Sequence, residues 1–248
     1  MENSLLIGLS RQMTLRREMD TIANNIANVN TAGFRSDQLI FQEHLMPVAR
    51  VDGFPRAADR RVSYVIDPRT STSFQPGTIQ QTGADFDLAL QGQGFFVVQT
   101  PQGERYTRAG NFQVNGQGML VTPAGHQVLS EGGPIVFTPD DGRVAIAPDG
   151  TISTAQGQRG RIRVVTFANE AALAKQGDTL FSANGAAAQA APATTRVVQG
   201  AFERSNVQPV VEIGRMIEVN RAYQLVSQMV ERTSDLRRTA IDRLAQVP

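Results

Sequence analysis

The sequence predicts an α+β fold: long N- and C-terminal helices packed as a coiled coil, with an antiparallel all-β domain inserted between them. Three observations predict it. Apolar residues step by four and three through residues 15–29 and again through 226–240, the spacing of a helical seam. Between roughly residues 75 and 204, short alternating runs are punctuated by glycine-rich turn signals. Finally, each end segment carries an apolar seam and has only the other end segment to pack on. The domains that follow are 1–35 plus 205–248 as a helical core, 36–74 as an extended linker and 75–204 as a β-rich domain.

Residues 3–29 read as the first helix, with Asn3 or Ser4 as N-cap and Glu2 near the positive end of the dipole. Leu15, Met19, Ile22, Ile26 and Val29 form its seam, which weakens earlier, where Gly8 and Gln12 take seam positions. The helix closes in Ala23–Arg35, ANNIANVNTAGFR. Asn24, Asn25, Asn28 and Asn30 are poor helix formers, because their short amides compete for nearby backbone groups. Two readings account for them: an amide face packed against another chain, or a helix C-terminus stopped by Gly33. Ser36–Met46 reads as a short helix before Pro47. Gly53, Pro55, Pro68 and the Thr-Ser-Thr-Ser run at 70–73 mark a linker, within which Arg60–Ile66 alternates like a lone strand.

The β domain is expected from runs at 86–90, 95–99, 105–108, 118–121, 127–129, 135–137, 144–146, 151–153 and 161–167. Asn115-Gly116, Asp141-Gly142 and Asp149-Gly150 suit type I′ hairpin turns, with positive φ at both central positions. Short strands so spaced indicate a sandwich or an irregular barrel. Ala183–Ala193 reads as a surface loop, and Val197–Glu203 as a last strand. Ser205-Asn206, with Pro209 just inside, then opens a second helix over about 207–244. At 1.5 Å per residue such a helix spans roughly 55 Å. Both helices carry more apolar positions than a two-helix seam hides: Leu5, Leu6, Ile7, Leu9 and Met13 in one, Ile217, Val219 and Leu225 in the other. A surplus of that kind marks an interaction surface, and a heterologous contact that does not close generates a filament.

Composition excludes other classes. Net charge is +1 with signs interspersed, which implies neither a nucleic-acid nor an anionic-membrane partner. With no cysteine, disulfides and thiolate metal sites are impossible. Arginines follow the short N-terminal apolar run rather than lead it, so a secretory signal is not expected, and the residues alone read as cytosolic. His44, placed in a helix, and His126, in a β turn, lack metal-binding partners at suitable spacing. Gln91-Gly92-Gln93-Gly94 lies between strands and opens no helix, so it is not a phosphate loop. Asp140, Asp141 and Asp149 lack calcium-loop spacing. Acidic neighbours (Glu18, Asp20, Asp235, Asp242) dilute Arg16, Arg17, Arg237 and Arg238. No catalytic residue, metal or cofactor is expected.

Three blocks carry a resemblance: ANNIANVNTAGFR, residues 77–129 with GADFDLALQGQGFFVV and RYTRAGNFQVNGQGMLVTPAGHQVL, and Ser205–Leu244 with SNVQPVVEIGRMIEVNRAYQLVSQMV. Together they resemble the flagellar axial family of rod and hook subunits, and residues 1–20 are similar to its proximal-rod type. Between Ser36 and Phe74 there is no close match, and Pro209 and Val210 stand where many relatives are polar. The resemblance implies a structural rod subunit that leaves through the flagellar export apparatus without cleavage. Its implied partners are other rod subunits and copies of itself. Helix packing would fall to Leu15, Met19, Ile22, Ile26, Val226, Met229 and Leu236. Inter-subunit contact would fall to Asn24, Asn25, Asn28, Gly33, Phe34, Asn206, Arg221 and Tyr223. The competing readings are a distal-rod or hook-like subunit, and a glycan-binding β module on a helical stalk.

Overall fold

A computed structural model describes residues 2–40, 43–45, 63–65 and 69–245. The chain divides into two compact units, one comprising residues 1–26, 37–71 and 209–248 and the other residues 27–36 and 72–208. The 27–36 stretch, grouped with the helices on sequence, therefore belongs to the sheet-rich unit.

The first unit is built on α1 (Glu2–Ala27) and α2 (Pro209–Ala245). Asn3 and Ser4 lie inside α1 rather than capping it. Proline opens α2, where its missing N–H costs no intrahelical bond. Leu15, Ile22 and Val219 are buried together, with Met19, Ile26, Met216, Ala222, Tyr223 and Val226 packed around them. Farther along, Gly8 faces Val230, and a Cβ on Gly8 would sit 2.6 Å from the Val230 Cγ2 methyl. Among the described residues of 36–46 there is no helix. Asp37–Ile40 is a strand pairing Arg69–Thr72, and Glu43–Leu45 pairs Ser63–Val65, with His44 opposite Tyr64. Burial alternates along Asp37–Ile40, which is period two, not 3.6. The strand at 63–65 is thus not alone. Residues 41–42, 46–62 and 66–68 of the expected linker lie outside the described residues.

In the second unit the strand Phe95–Thr100 is central. It pairs with Gly103–Thr107, Gln127–Ser130 and Val164–Thr166, all antiparallel. The sheet extends on one side through Leu180–Ser182 to Ala174–Gln176, and on the other through Leu120–Val121 to Gln113–Val114. Phe95, Phe96, Val97 and Val98 are all buried. Phe96 and Val98 enter one apolar cluster with Leu88, Leu120, Ile135 and Ile152, whereas Phe95 and Val97 enter another with Tyr106, Phe167 and Phe181. Successive side chains point to opposite faces, so a strand covered on both sides is apolar throughout.

Smaller ladders complete this unit: Leu88–Gln91 with Arg196–Gln199, Ala201–Glu203 with Ile79–Gln81, and Ala145–Ile146, Thr151–Thr154 and Gly157–Arg161 in series. Gly200, at φ +75°, splits the expected last strand between two ladders. Residues 135–137 contribute only an isolated bridge, Val136 to Met119, and the expected loop at 183–193 contains a short strand, Gln189–Ala190. None of the three expected pairs, Asn115-Gly116, Asp141-Gly142 and Asp149-Gly150, has positive φ at both positions. Successive positive φ occurs instead at Asn184 (+41°) and Gly185 (+87°), and at Asp178 (+58°) and Thr179 (+59°) in the turn between Ala174–Gln176 and Leu180–Ser182.

Candidate functional site

Of the asparagines that close α1, Asn25 serves as a backbone surrogate. The Asn25 side chain donates from Nδ2 to the Asp37 carbonyl at 2.8 Å and accepts the Asp37 N–H at Oδ1 at 3.0 Å. A carboxylate only accepts and an ammonium only donates, so neither could satisfy both backbone groups of an extended residue. Asn25 is buried and also meets Glu212, itself buried in the first turn of α2, at 3.5 Å. In the other unit Asn206 repeats the device: its Oδ1 accepts the Ser36 N–H at 2.7 Å, while Nδ2 donates to the Ser73 and Gln75 carbonyls at 2.9 Å each.

The sheet-rich unit also holds a buried charge node that local sequence patterns do not signal. Arg35 Nη1 donates to Glu203 Oε1 at 2.6 Å, Arg108 Nη1 to Glu203 Oε2 at 3.2 Å, and the Gly77 N–H to Oε1 at 2.7 Å. Arg35 and Glu203 are each 1 % exposed. Arg108 further donates to the Gly92 carbonyl at 2.7 Å and lies 5.5 Å from the Phe95 ring centre. Burial pulls the Arg108 guanidinium below its ordinary pKa, and Glu203 offsets this in part. Burial likewise raises the nearby Glu170 carboxyl, against the opposing pull of Arg108 and Arg35. Lys175 covers the Phe34 ring at 3.7 Å and donates to the Arg35 carbonyl. Gly33, at φ +65°, lets the chain pass against Arg108 and Ala109, where a Cβ would come to 2.1 Å from the Ala109 nitrogen.

These contacts reassign several expected interface residues. Asn25, Gly33 and Phe34 are buried inside the chain, where their bonds and packing are spent internally. Asn28 accepts from the Thr31 hydroxyl, and Tyr223 packs in the helix cluster. Asn24 and Arg221 are exposed. Of the expected helix-packing residues, Leu15, Met19, Ile22, Ile26 and Val226 meet in that cluster, but Met229 and Leu236 are 62 % and 71 % exposed. The cause is phase. At about 100° per residue, Met216, Val219, Ala222, Tyr223 and Val226 share one arc of α2, Ile217 and Leu225 fall on its far side, and Met229 and Leu236 lie about 20° and 40° past Ala222, at the edge of the packed arc. On α1, Leu9 and Met13 are similarly exposed, away from Leu15 and Ile22.

Two open concavities in the sheet-rich unit, about 520 and 390 Å³, carry mostly small and polar side chains. Of the charged residues lining the larger, Arg161 meets the Glu131 carboxylate and the Asp149 carbonyl, the Asp149 carboxylate accepts from Thr151, and Arg196 is exposed. Elsewhere, the Thr138 backbone N–H, with Arg159, Thr154 and the Thr138 hydroxyl, holds the Asp141 carboxyl far below the usual carboxylate range. That set ties a turn. Among the described residues no helix is long and apolar enough to cross a membrane.

A helix pair with apolar positions left over, and a sheet-rich unit whose buried charges are paired internally, are features of a structural, assembling protein. Comparison with known families agrees. Residues 5–35 match the flagella basal body rod protein family, 89–154 the flagellar hook protein FlgE/F/G D1 domain, and 198–243 the flagellar basal body rod FlgEFG protein C-terminal domain. The flagellar basal-body rod protein FlgF of Caulobacter vibrioides is 43 % identical over 249 residues, covering 100 % of both chains. That of Mesorhizobium japonicum is 34 % identical over 98 % of each, and FlgG of Bacillus subtilis 35 % identical over 95 % of this chain and 96 % of its own. The chain belongs to the flagellar basal-body rod protein family. It is a structural subunit of the basal body, not an enzyme.

Proposed function

We propose that the chain is an FlgF-type subunit of the proximal rod, whose terminal helices pack as a coiled coil and polymerise through their outer faces. Copies of itself and neighbouring rod subunits would cover those faces, and the subunit would reach the periplasm-spanning rod through the flagellar export apparatus without losing a leader. One observation carries the reading: α2 carries apolar residues on two opposite arcs, and α1 occupies only one. Exposed Glu218, Arg221, Gln224 and Gln228 intersperse the outer arc, which suits a contact made only on assembly. Leu225, Met229 and Leu236, each more than 60 % exposed, wait for another chain. The full-length similarity to FlgF favours the proximal position over the distal one.

The test is to place a charge at either of two positions on the outer arc. Ile217→Asp and Leu225→Asp are expected to leave the monomer's helicity and thermal midpoint unchanged, yet to remove the protein from purified basal bodies and abolish motility. Normal incorporation of both variants would refute the polymerisation role and favour a stalked binding module.

A further inference from the structure

The two stretches that meet at the charge node come from opposite ends of the chain. Residues 30–36 follow α1 and residues 203–206 precede α2, separated in sequence by more than 160 positions. They are stitched together by reciprocal bonds. The Gly33 N–H donates to the Glu203 carbonyl at 2.8 Å, and the Asn206 N–H donates to the Phe34 carbonyl at 3.3 Å. Arg35 meets Glu203, the Ser36 N–H meets Asn206, and Arg204 reaches Asn30. Neither stretch contributes a side chain to the two apolar clusters that hold the sheets together. Their anchorage is polar: besides each other, both bond the 73–79 segment, through the Ser73 N–H to the Ser36 carbonyl, Asn206 to the Ser73 and Gln75 carbonyls, the Arg204 N–H to the Thr78 carbonyl and the Glu203–Ile79 pairing.

Charge makes the coupling between them steep. One carboxylate serves two buried guanidinium groups, and the Nε atoms of Arg35 and Arg108 find no hydrogen-bond partner among the described residues. Without Glu203, two like charges would face each other out of water. Without Arg35, the Glu203 carboxylate would keep only Arg108 and the Gly77 N–H, and the 33–36 stretch would lose its one side-chain ion pair. Breaking a buried pair on one side costs far more than the pair contributes when intact.

We propose that Glu203 and Arg35 form a latch that couples the two chain ends: residues 33–36 and 203–206 are held on the sheet-rich unit together or not at all. Opening is sub-global, since the sheets keep both of their apolar clusters when the latch is released. By linkage, whatever loosens one stretch loosens the other equally. A subunit whose C-terminal stretch is not yet in place therefore holds its N-terminal stretch open.

The test is native-state amide exchange on the full-length chain, comparing wild type with Glu203→Gln and Arg35→Gln. Both variants are expected to speed exchange at Gly33, Ser36, Asn206 and Arg204 together, by at least about 100-fold. The Arg204 N–H reports on 203–206 alone, because it bonds the Thr78 carbonyl at 2.9 Å. The ladder between residues 95–100 and 103–107 should keep its protection in both. Three results would overturn the latch. In the first, Arg35→Gln opens 33–36 while Arg204 stays protected. In the second, the ladder loses protection along with the ends, including outright failure of either variant to fold. In the third, exchange at all four amides is unchanged.

Discussion

Gly110 offers the sharpest check on the packing of the sheet-rich unit. It lies in the RYTRAGNFQV stretch and is buried, with its carbonyl accepting the Leu88 N–H at 2.8 Å. A Cβ on Gly110 would stand 1.6 Å from the Leu88 oxygen, 2.7 Å from its carbonyl carbon and 3.3 Å from Phe96 Cε2. Ordinary heavy-atom contacts lie near 3.5–4 Å, so Gly110→Ala must push the Leu88 backbone away by well over an ångström. Leu88 and Phe96 are both 0 % exposed and share one core cluster, so the push cannot be absorbed at the surface. Losing one backbone hydrogen bond costs about 1 kcal/mol, and disturbing two fully buried side chains costs about 2–4 kcal/mol more. The expected sum is about 3–5 kcal/mol, or a fall of roughly 10 °C in thermal midpoint for a unit of this size. Gly116→Ala is the control, because nothing lies within 4 Å of its Cβ and its φ is not positive. Both variants gain the same unfolded-state entropy benefit, so their difference isolates the close approach. Thermal and urea unfolding followed by circular dichroism would measure it. A Gly110→Ala midpoint within 2 °C of Gly116→Ala would refute the packing described.

Two further perturbations test other parts of the chain. Replacing a helix-interior glycine by alanine ordinarily stabilises by about 1 kcal/mol. Gly8→Ala is instead expected to lower the thermal midpoint, since its Cβ meets Val230 at 2.6 Å, and adding Val230→Ala should restore the gain. The depressed Asp141 carboxyl contributes stability that is fully present above the ordinary carboxylate pKa and fades as pH falls below it. The urea midpoint should therefore drop more steeply between about pH 5 and pH 3 in wild type than in Asp141→Asn. Parallel profiles would contradict the hydrogen bonds assigned to that carboxyl.

Much of the fold was legible because periodicity is local. The seam of Leu15, Met19, Ile22 and Ile26 and the long run of α2 follow from spacing alone. The segment at 36–46 misled because its strand character depends on Asn25 and on residues 69–72, not on its own composition. The Asp178-Thr179 turn was missed because a β-branched residue at positive φ runs against residue preference, and only the flanking ladder fixes it. The charge node was invisible for a different reason. Arg35, Arg108 and Glu203 lie 168 and 95 residues apart in their pairings, and no local pattern links them. Asn25 did raise a signal, as an amide where a helix interior favours other residues. The two readings of that signal were a face toward another chain and a helix end, whereas its hydrogen bonds point inward to the Asp37 backbone. Met229 and Leu236 were assigned to the seam by a three-four count that drifts around a helix as long as α2.

The claim that the outer arc of α2 is covered by other subunits can be measured directly, because the chain has no cysteine of its own. Single cysteines at Ile217 and Leu225 on the outer arc, and at Val219 on the arc facing α1, would be reacted with a maleimide in the dilute monomer and in purified basal bodies. The account predicts rapid labelling of Ile217→Cys and Leu225→Cys in the monomer, protection of both in the basal body, and protection of Val219→Cys in each. Equal labelling of the outer-arc cysteines in monomer and basal body would contradict it.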